Sequence, residues 1–337
     1  MNKIIRIGTR ESQLAVWQAT QVKDLLAASG YQSELVYIKS EGDIDLKTPL
    51  YEMGVQGIFT RSLDIALLNN KIDIAVHSMK DVPTQLPEGI VQAAVLKRGN
   101  YKDVFVPHPD LADSKEVFQQ GVVKTEELTF ITGRKEKRKI IVTDTGPMIN
   151  AIIATSSVRR KAQWLNRYPS HTIESLRGNV NTRLRKLKES NWHGAIFAAA
   201  GLERINLLPE NSVELDWMLP APAQGAIMIV CREDDSYSFE SCEEFNDAET
   251  ALCTKIERDF LRTLMGGCTT PISAFAETIE DEIHFKGNIL SLNGKMIANV
   301  GAQTPIIMAE NIGVEAATNL LKDGGKRIAD SIRDAGK

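Results

Sequence analysis

Arginines recur in this chain where strand-like runs give way to helical patterns. Gly8-Thr9-Arg10-Glu11-Ser12-Gln13 opens one helix and Thr155-Ser156-Ser157-Val158-Arg159-Arg160 opens another. A helix N-terminus presents unpaired N–H groups and positive partial charge, and a guanidinium adds a bidentate fork for carboxylate or phosphate. Taken singly, each segment also reads as a hydroxyl N-cap beside a solvated arginine. A third segment, Ser175-Leu176-Arg177-Gly178-Asn179-Val180-Asn181-Thr182-Arg183, shifts the balance. Residues 155–188 hold Arg159, Arg160, Lys161, Arg167, Arg177, Arg183, Arg185, Lys186 and Lys188 against the single acid Glu174. A solvated helix face accounts for Arg185, Lys186 and Lys188. It does not account for arginines at successive strand-to-helix junctions, where α/β sheets bind ligands.

Two further segments carry reactive groups. His77-Ser78-Met79-Lys80-Asp81-Val82-Pro83 follows an apolar run, so its Lys–Asp pair falls at the end of a strand. Gly266-Gly267-Cys268-Thr269-Thr270-Pro271 follows an amphipathic helix, and its glycines allow a tight turn that leaves a thiol in a loop. The remaining cysteines, Cys231, Cys242 and Cys253, form no C-x-x-C pair and have no histidine at metal spacing, so no metal site is expected.

The elements that must position these groups alternate. Strand-like residues 3–8, a helix carrying Ala15, Ala19, Val22 and Leu26 with Leu25, and a strand over Glu34–Lys39 come first. A helix with Phe59, Leu63, Ala66 and Leu67 on one face leads to the strand Ile72–Val76. The pattern restarts at Ile149–Ala154, with helices over Ser157–Asn166 and Val180–Ser190 and strands over Thr172–Ser175 and Ala195–Ala200. Such alternation predicts parallel sheets and two α/β units. Pro220-Ala221-Pro222-Ala223-Gln224-Gly225 reads as a crossover into the strand Ala226–Cys231. The helix Glu249–Leu264 and the strands Ile283–Leu290 and Met296–Val300 predict an antiparallel α+β region. Residues 108–148, with Lys135-Glu136-Lys137-Arg138-Lys139, are charge-rich and weakly periodic, and read as an insertion into the second unit.

With 337 residues, 43% hydrophobic and 25% charged, the chain has the composition of an ordinary globular protein of two or three domains. The net charge of -4 gives no global attraction to nucleic acid or anionic membrane. The basic stretch lacks the aromatic interleaving of single-strand RNA readers. No run approaches the roughly 20 apolar residues of a membrane span, and the start resembles a strand, not an export signal. The expected location is cytoplasmic.

Together these motifs resemble the porphobilinogen deaminases, also called hydroxymethylbilane synthases. The resemblance rests on Gly8–Ser12, Asp73 with Ala75–Pro83, Thr155–Arg160, Ser175–Val180 with Thr182-Arg183, Ala200-Gly201-Leu202 with Arg204, Pro222–Gly225 and Gly266–Cys268. It implies two similar, hinged α/β domains like those of periplasmic binding proteins, plus a smaller α+β domain. Their implied bounds are 1–97 with 226–243, then 101–219 with the insertion 108–148, then 246–337. The hinges would fall near Lys97–Tyr101 and Leu219–Gly225.

It further implies a dipyrromethane cofactor in thioether linkage to Cys268, onto which four porphobilinogen units are joined head to tail with loss of ammonia. Asp81 would stabilise the cation left by ammonia. Lys80, Thr155, Ser156, Ser157, Arg159 and Arg160 would hold the cofactor, and Arg10, Ser12, Phe59, Arg177, Arg183, Arg204 and Gln224 would face substrate. A monomer is expected, with porphobilinogen as its partner. In the loop Leu50–Gly57, Glu52 and Gln56 stand where many members carry lysines, and the insertion has no counterpart. The rival reading is a hinged α/β protein that binds small anions without catalysis. The absence of an export signal and the thiol of Cys268 in its Gly-Gly loop speak against it.

Overall fold

The computed structural model describes residues 3–39, 60–110, 122–130, 135–142, 150–264 and 270–335. Phe59, Cys268, Glu52 and Gln56 lie outside them. The first unit runs β1 (Ile5–Thr9), α1 (Gln13–Ala28), β2 (Ser33–Tyr37), α2 (Arg61–Leu68), β3 (Ile74–Ser78), a 3-10 turn over Met79–Asp81, and β4 (Ile90–Val95). Ser12 caps α1 by accepting from the Ala15 N–H. Gly30 closes it with φ +83°, a left-handed turn in which the Tyr31 N–H returns to the Leu26 carbonyl. The helix buries Ala19, Val22 and Leu26 against Ile5, Ile7, Ile74 and Val76.

The second unit begins with β5 (Asp103–Pro107). The strands β6 (Val122–Phe130) and β7 (Lys135–Val142) interrupt it. It resumes with β8 (Ile152–Ala154), α3 (Val158–Arg167), β9 (Thr172–Glu174), α4 (Val180–Lys188), β10 (Gly194–Ala198), α5 (Ala199–Glu203) and β11 (Val213–Glu214). The chain then returns to the first sheet as β12 (Ile227–Arg232) and continues through α6 (Ser236–Glu240). The last part comprises α7 (Ala248–Thr263), β13 (Ile272–Ile279), β14 (Glu282–Leu290), β15 (Ile297–Pro305), α8 (Ile312–Leu320) and α9 (Lys326–Ala335).

The first sheet has the order β2-β1-β3-β12-β4 and the second β11-β5-β10-β8-β9. Alternation predicts parallel pairing throughout, and the sheets are mixed instead. β12 is antiparallel to both β3 and β4, and β5 is antiparallel to β10. Each is the strand that arrives through a crossover, without a helix to reverse its direction. In the third sheet β13, β14 and β15 form an antiparallel meander covered by α7, whose Ile256 and Phe260 pack on Ile283, Phe285 and Val300.

The insertion interrupts the second unit in sequence but joins the third sheet in space. β6 and β7 form an antiparallel hairpin, and β6 lies parallel to β15 with Thr129 opposite Val300 and Phe130 opposite Gly301. Its strands oppose Glu126 to Arg138 and Glu127 to Lys137 in register. A sheet edge offers unpaired N–H and C=O groups, and the hairpin satisfies the one that β15 would leave open.

The crossovers between the first two units run side by side. The Gly99 N–H donates to the Gly225 carbonyl at 3.1 Å, and Leu96 N–H to the Ile227 carbonyl at 3.0 Å. Gly225 has φ +90°, and a Cβ there would lie 2.8 Å from the Gly99 carbonyl oxygen, so only glycine fits. The third unit is anchored here by two adjacent residues of α7. Glu257, fully buried, accepts from Arg98 Nη1 at 2.6 Å, from Arg98 Nη2 at 3.1 Å, and from the Ala223 and Ala276 N–H groups. Arg258 donates to the Val82 and Pro83 carbonyls at 2.9 and 2.6 Å, fixing the loop that follows the Met79–Asp81 turn.

Candidate active site

The junction arginines converge. Ser157 caps α3 by accepting from the Arg160 N–H, and its own N–H donates to Thr155 Oγ1. Ser156 Oγ accepts from the Leu176 N–H and meets Ser175 Oγ at 3.0 Å, which joins two strand-to-helix loops. Asn179 caps α4, and Arg183 Nε donates to the Gly178 carbonyl at 2.7 Å. Across the cleft, Gln13 at the start of α1 accepts from Asn181 Nδ2 at 2.9 Å.

Lys80 and Asp81 enter from the first unit on the 3-10 turn after β3. Burial pushes the Lys80 ammonium down to about 8, opposed by Asp81, with Arg159 and Arg160 adding repulsion. The Arg183 guanidinium is likewise pushed down to about 10, by burial first, with Arg160 and Arg177 against it and Asp81 in its favour. These mutual effects place Lys80, Asp81, Arg159, Arg160, Arg177 and Arg183 in one electrostatic cluster. A buried excess of positive charge is the kind of environment that favours carboxylate or phosphate ligands.

Sequence reasoning missed the carboxylate at the centre of the cluster. Asp103, fully buried at the first position of β5, accepts from Arg159 Nη1 at 2.7 Å and from Arg160 Nε and Nη2 at 3.0 and 2.8 Å. Burial opposes its ionisation, but the two guanidiniums overcome that and hold it well below the usual carboxylate range. Arg159 Nη1 also reaches the Leu219 carbonyl, and Arg160 Nη1 the Ile196 carbonyl. Both side chains are thus aimed by groups of the second unit and its crossover. Among the described residues, Arg159 Nε is buried without a hydrogen-bond partner, which fits an incoming carboxylate, since an orphaned buried donor is costly.

Arg204, expected with Gln224 to face substrate, ends α5 and reaches the second crossover, in which Gln224 itself lies. Arg204 Nη2 donates to the Gly225 carbonyl at 2.7 Å, and its guanidinium lies 5.6 Å from the Trp17 ring centroid. Gln224 is fully buried, with its carboxamide engaged by hinge and cluster groups. Arg10 and Ser12 stand at the start of α1, and Arg10 acts electrostatically on His77 of β3.

His77 yields a pH prediction. Its imidazole is pushed down from 6.5 to about 4, by burial first and by the Arg10 charge second. Between those values the unfolded chain binds the proton and the folded chain does not, so stability falls as pH drops through that window. The loss is on the order of 3 kcal/mol. Thermal midpoints measured from pH 7 to pH 4 should therefore fall more steeply for the wild type than for His77→Asn, and parallel curves would exclude His77 as the cause.

Comparison with known proteins places the chain in a family. Residues 5–240 match the family model described as porphobilinogen deaminase, dipyromethane cofactor binding domain, and residues 251–322 match porphobilinogen deaminase, C-terminal domain. The porphobilinogen deaminase of Trichlorobacter lovleyi is 37% identical over 334 residues, covering 98% of this chain and 97% of that protein. The porphobilinogen deaminase of Syntrophotalea carbinolica is 37% identical over 332 residues, covering 97% and 96%. Among solved structures, the methionine binding protein MetQ is similar with a TM-score of 0.41 and 14% identity, over 72% of this chain and 87% of that one. The periplasmic VFT2 domain of Bordetella pertussis BvgS gives 0.38 and 10%, over 74% and 90%. By its two matched domains and its full-length relatives, the chain belongs to the porphobilinogen deaminase family, dipyrromethane-carrying transferases that polymerise porphobilinogen into the linear tetrapyrrole hydroxymethylbilane.

Proposed function

We propose that Asp81 is the catalytic carboxylate, that Cys268 carries the dipyrromethane, and that the cluster divides between cofactor and substrate. Lys80, Thr155, Ser156, Ser157, Arg159 and Arg160 hold the cofactor, whereas Arg10, Ser12, Phe59, Arg177 and Arg183 meet the incoming pyrrole, with Arg204 and Gln224 supporting them at the second crossover. The orphaned Arg159 Nε carries the cofactor assignment. When bound, the dipyrromethane supplies the free pyrrole carbon to which each unit is joined. The chain's own residues handle the charges. Porphobilinogen brings two carboxylates, which the arginines pair in bidentate fashion. Cleavage of its C–N bond releases ammonia and leaves a pyrrole-stabilised cation.

Asp103 is already committed to Arg159 and Arg160, while no hydrogen bond among the described residues engages the Asp81 carboxylate. Asp81 therefore can accept the pyrrole N–H and offset the cation, then take the proton released when the new carbon–carbon bond forms.

This reading includes three domains with the bounds given above, a monomeric state and a cytoplasmic location. Among the described residues no helix is long and apolar enough to cross a membrane.

The two arginine groups are separable. Arg159→Leu should impair cofactor assembly, whereas Arg177→Leu should spare it more and block elongation, each lost charged contact costing roughly 1.5–3 kcal/mol. Intact mass of the purified variants reads assembly, and product formation reads elongation. Normal cofactor content and normal elongation in both would refute the division.

A further inference from the structure

Gln224 lies in the second crossover, and its carboxamide meets the first unit, the second unit and the first crossover. Its Nε2 donates to the Tyr101 carbonyl at 2.8 Å, in the first crossover, and to Asp103 Oδ1 at 2.9 Å, in the second unit. Its Oε1 accepts from Lys80 Nζ of the first unit at 3.5 Å and from Arg159 Nη2 of the second at 3.4 Å. Its backbone carbonyl accepts from Arg98 Nε at 2.9 Å, and Arg98 is the partner of Glu257 in the third unit. One side chain thus touches both crossovers and both walls of the anion cluster.

The bond lengths show where this network gives way. Contacts within the second unit are short: Asp103 holds Arg159 at 2.7 Å and Arg160 at 2.8 Å. The two bonds to the shared Gln224 oxygen, at 3.5 and 3.4 Å, are at the long limit for such bonds. The Lys80 bond joins the first unit to the second crossover, so a change in the angle between the units would alter it, whereas the Asp103–arginine pairs lie within the second unit and need not change.

Resting on the family reading above, we propose that Gln224 is a positioning residue that couples the hinge angle to the grip on the dipyrromethane carboxylates. Asp103 aims Arg159 and Arg160 whatever the angle. The Gln224 oxygen sets how far Lys80 and Arg159 lean toward each other, and so lets the cleft widen as pyrrole units are added. Its effect falls on passage through the elongation states, not on assembly of the cofactor.

The test uses full-length protein and intact mass after denaturation, sampled through one turnover with porphobilinogen. Gln224→Met keeps length but removes the carboxamide. It should carry dipyrromethane in the wild-type fraction yet pass the later additions roughly tenfold more slowly, the effect of losing one ordinary hydrogen bond from a barrier. Complexes bearing partly built chains would accumulate. Should Gln224→Met fail to fold, Gln224→Leu serves: it also removes the carboxamide without adding a charge beside Asp103, and the same delay with normal loading is expected. Wild-type passage in a folded variant would overturn the proposal. Folded variants that lack dipyrromethane would also overturn it, because Gln224 would then belong to the cradle itself. Failure of the family reading is distinguishable, since wild-type protein would then show no mass addition at all.

Discussion

Asp81→Asn is expected to fold, to carry its dipyrromethane, and to lose nearly all ammonia release. Asparagine has almost the same size and shape, so the 3-10 turn over Met79–Asp81, held by Arg258 on the carbonyls of the loop behind it, should be retained. What is lost is negative charge at the point where positive charge develops. Removing one preorganised electrostatic group of this kind costs about 100- to 1000-fold in turnover. The loss should fall on kcat more than on KM, because the cation exists only beyond the ground state. Asp81 is also the group whose charge favours protonation of Lys80 and Arg183. In the variant both cations sit in a more positive cluster, which should hold the carboxylated intermediates no less firmly, so the defect should lie in the slow step itself. Ammonia release near the wild-type rate would remove Asp81 from its role.

The helix starts that carry the arginines were legible because such starts announce themselves locally. Ser12, Ser157 and Asn179 are N-cap residues in the sequence and N-caps in the structure. The arginines beside them follow the strand-to-helix geometry that periodicity alone predicts. The runs Ile72–Val76 and Ala226–Cys231 likewise read as strands, and the structure has β3 at Ile74–Ser78 and β12 at Ile227–Arg232. Direction was not legible. Nothing in Ile227-Met228-Ile229-Val230 tells whether the strand enters the first sheet parallel or antiparallel, since that depends on how the crossover is folded.

The supporting residues were invisible for a related reason. Asp103 and Arg159 are 56 positions apart, and Arg98 and Glu257 are 159 apart. No spacing rule links them, and a Lys102-Asp103 pair before an apolar run resembles any exposed turn. Glu257 and Arg258 sit on the amphipathic helix α7, where a charged pair suggests a solvated face; both are buried because the helix faces the crossovers as well as its own sheet. The insertion shows a third limit. Its strands pair with β15, and the vacant edge they fill is a property of the third sheet, not of their own sequence.

Cys268→Ala should purify without any covalent addition and make no tetrapyrrole even with porphobilinogen in excess. The wild type should carry a mass addition corresponding to two deaminated porphobilinogen units, and it should map to the peptide containing Gly266-Gly267-Cys268. A thioether survives denaturation, so the addition should persist in acid or denaturant. The structure narrows the choice of thiol. Cys231, Cys242 and Cys253 are buried, and burial pushes them up to about 11, 12 and 11, which leaves almost no thiolate at neutral pH. Cys231 lies in β12 and Cys253 in α7, where a bulky dipyrrole would have to displace packed core. Cys268 lies outside the described residues, in the segment that follows α7 and precedes β13, and Glu257 and Arg258 tie that helix to the crossovers and the Asp81 loop. Loss of the anchored carboxylates should also leave the positive charges of Lys80, Arg159 and Arg183 less fully offset, so the variant should unfold at a lower temperature than the loaded protein. Turnover of porphobilinogen by an unmodified wild-type chain would overturn attachment as the basis of the reaction.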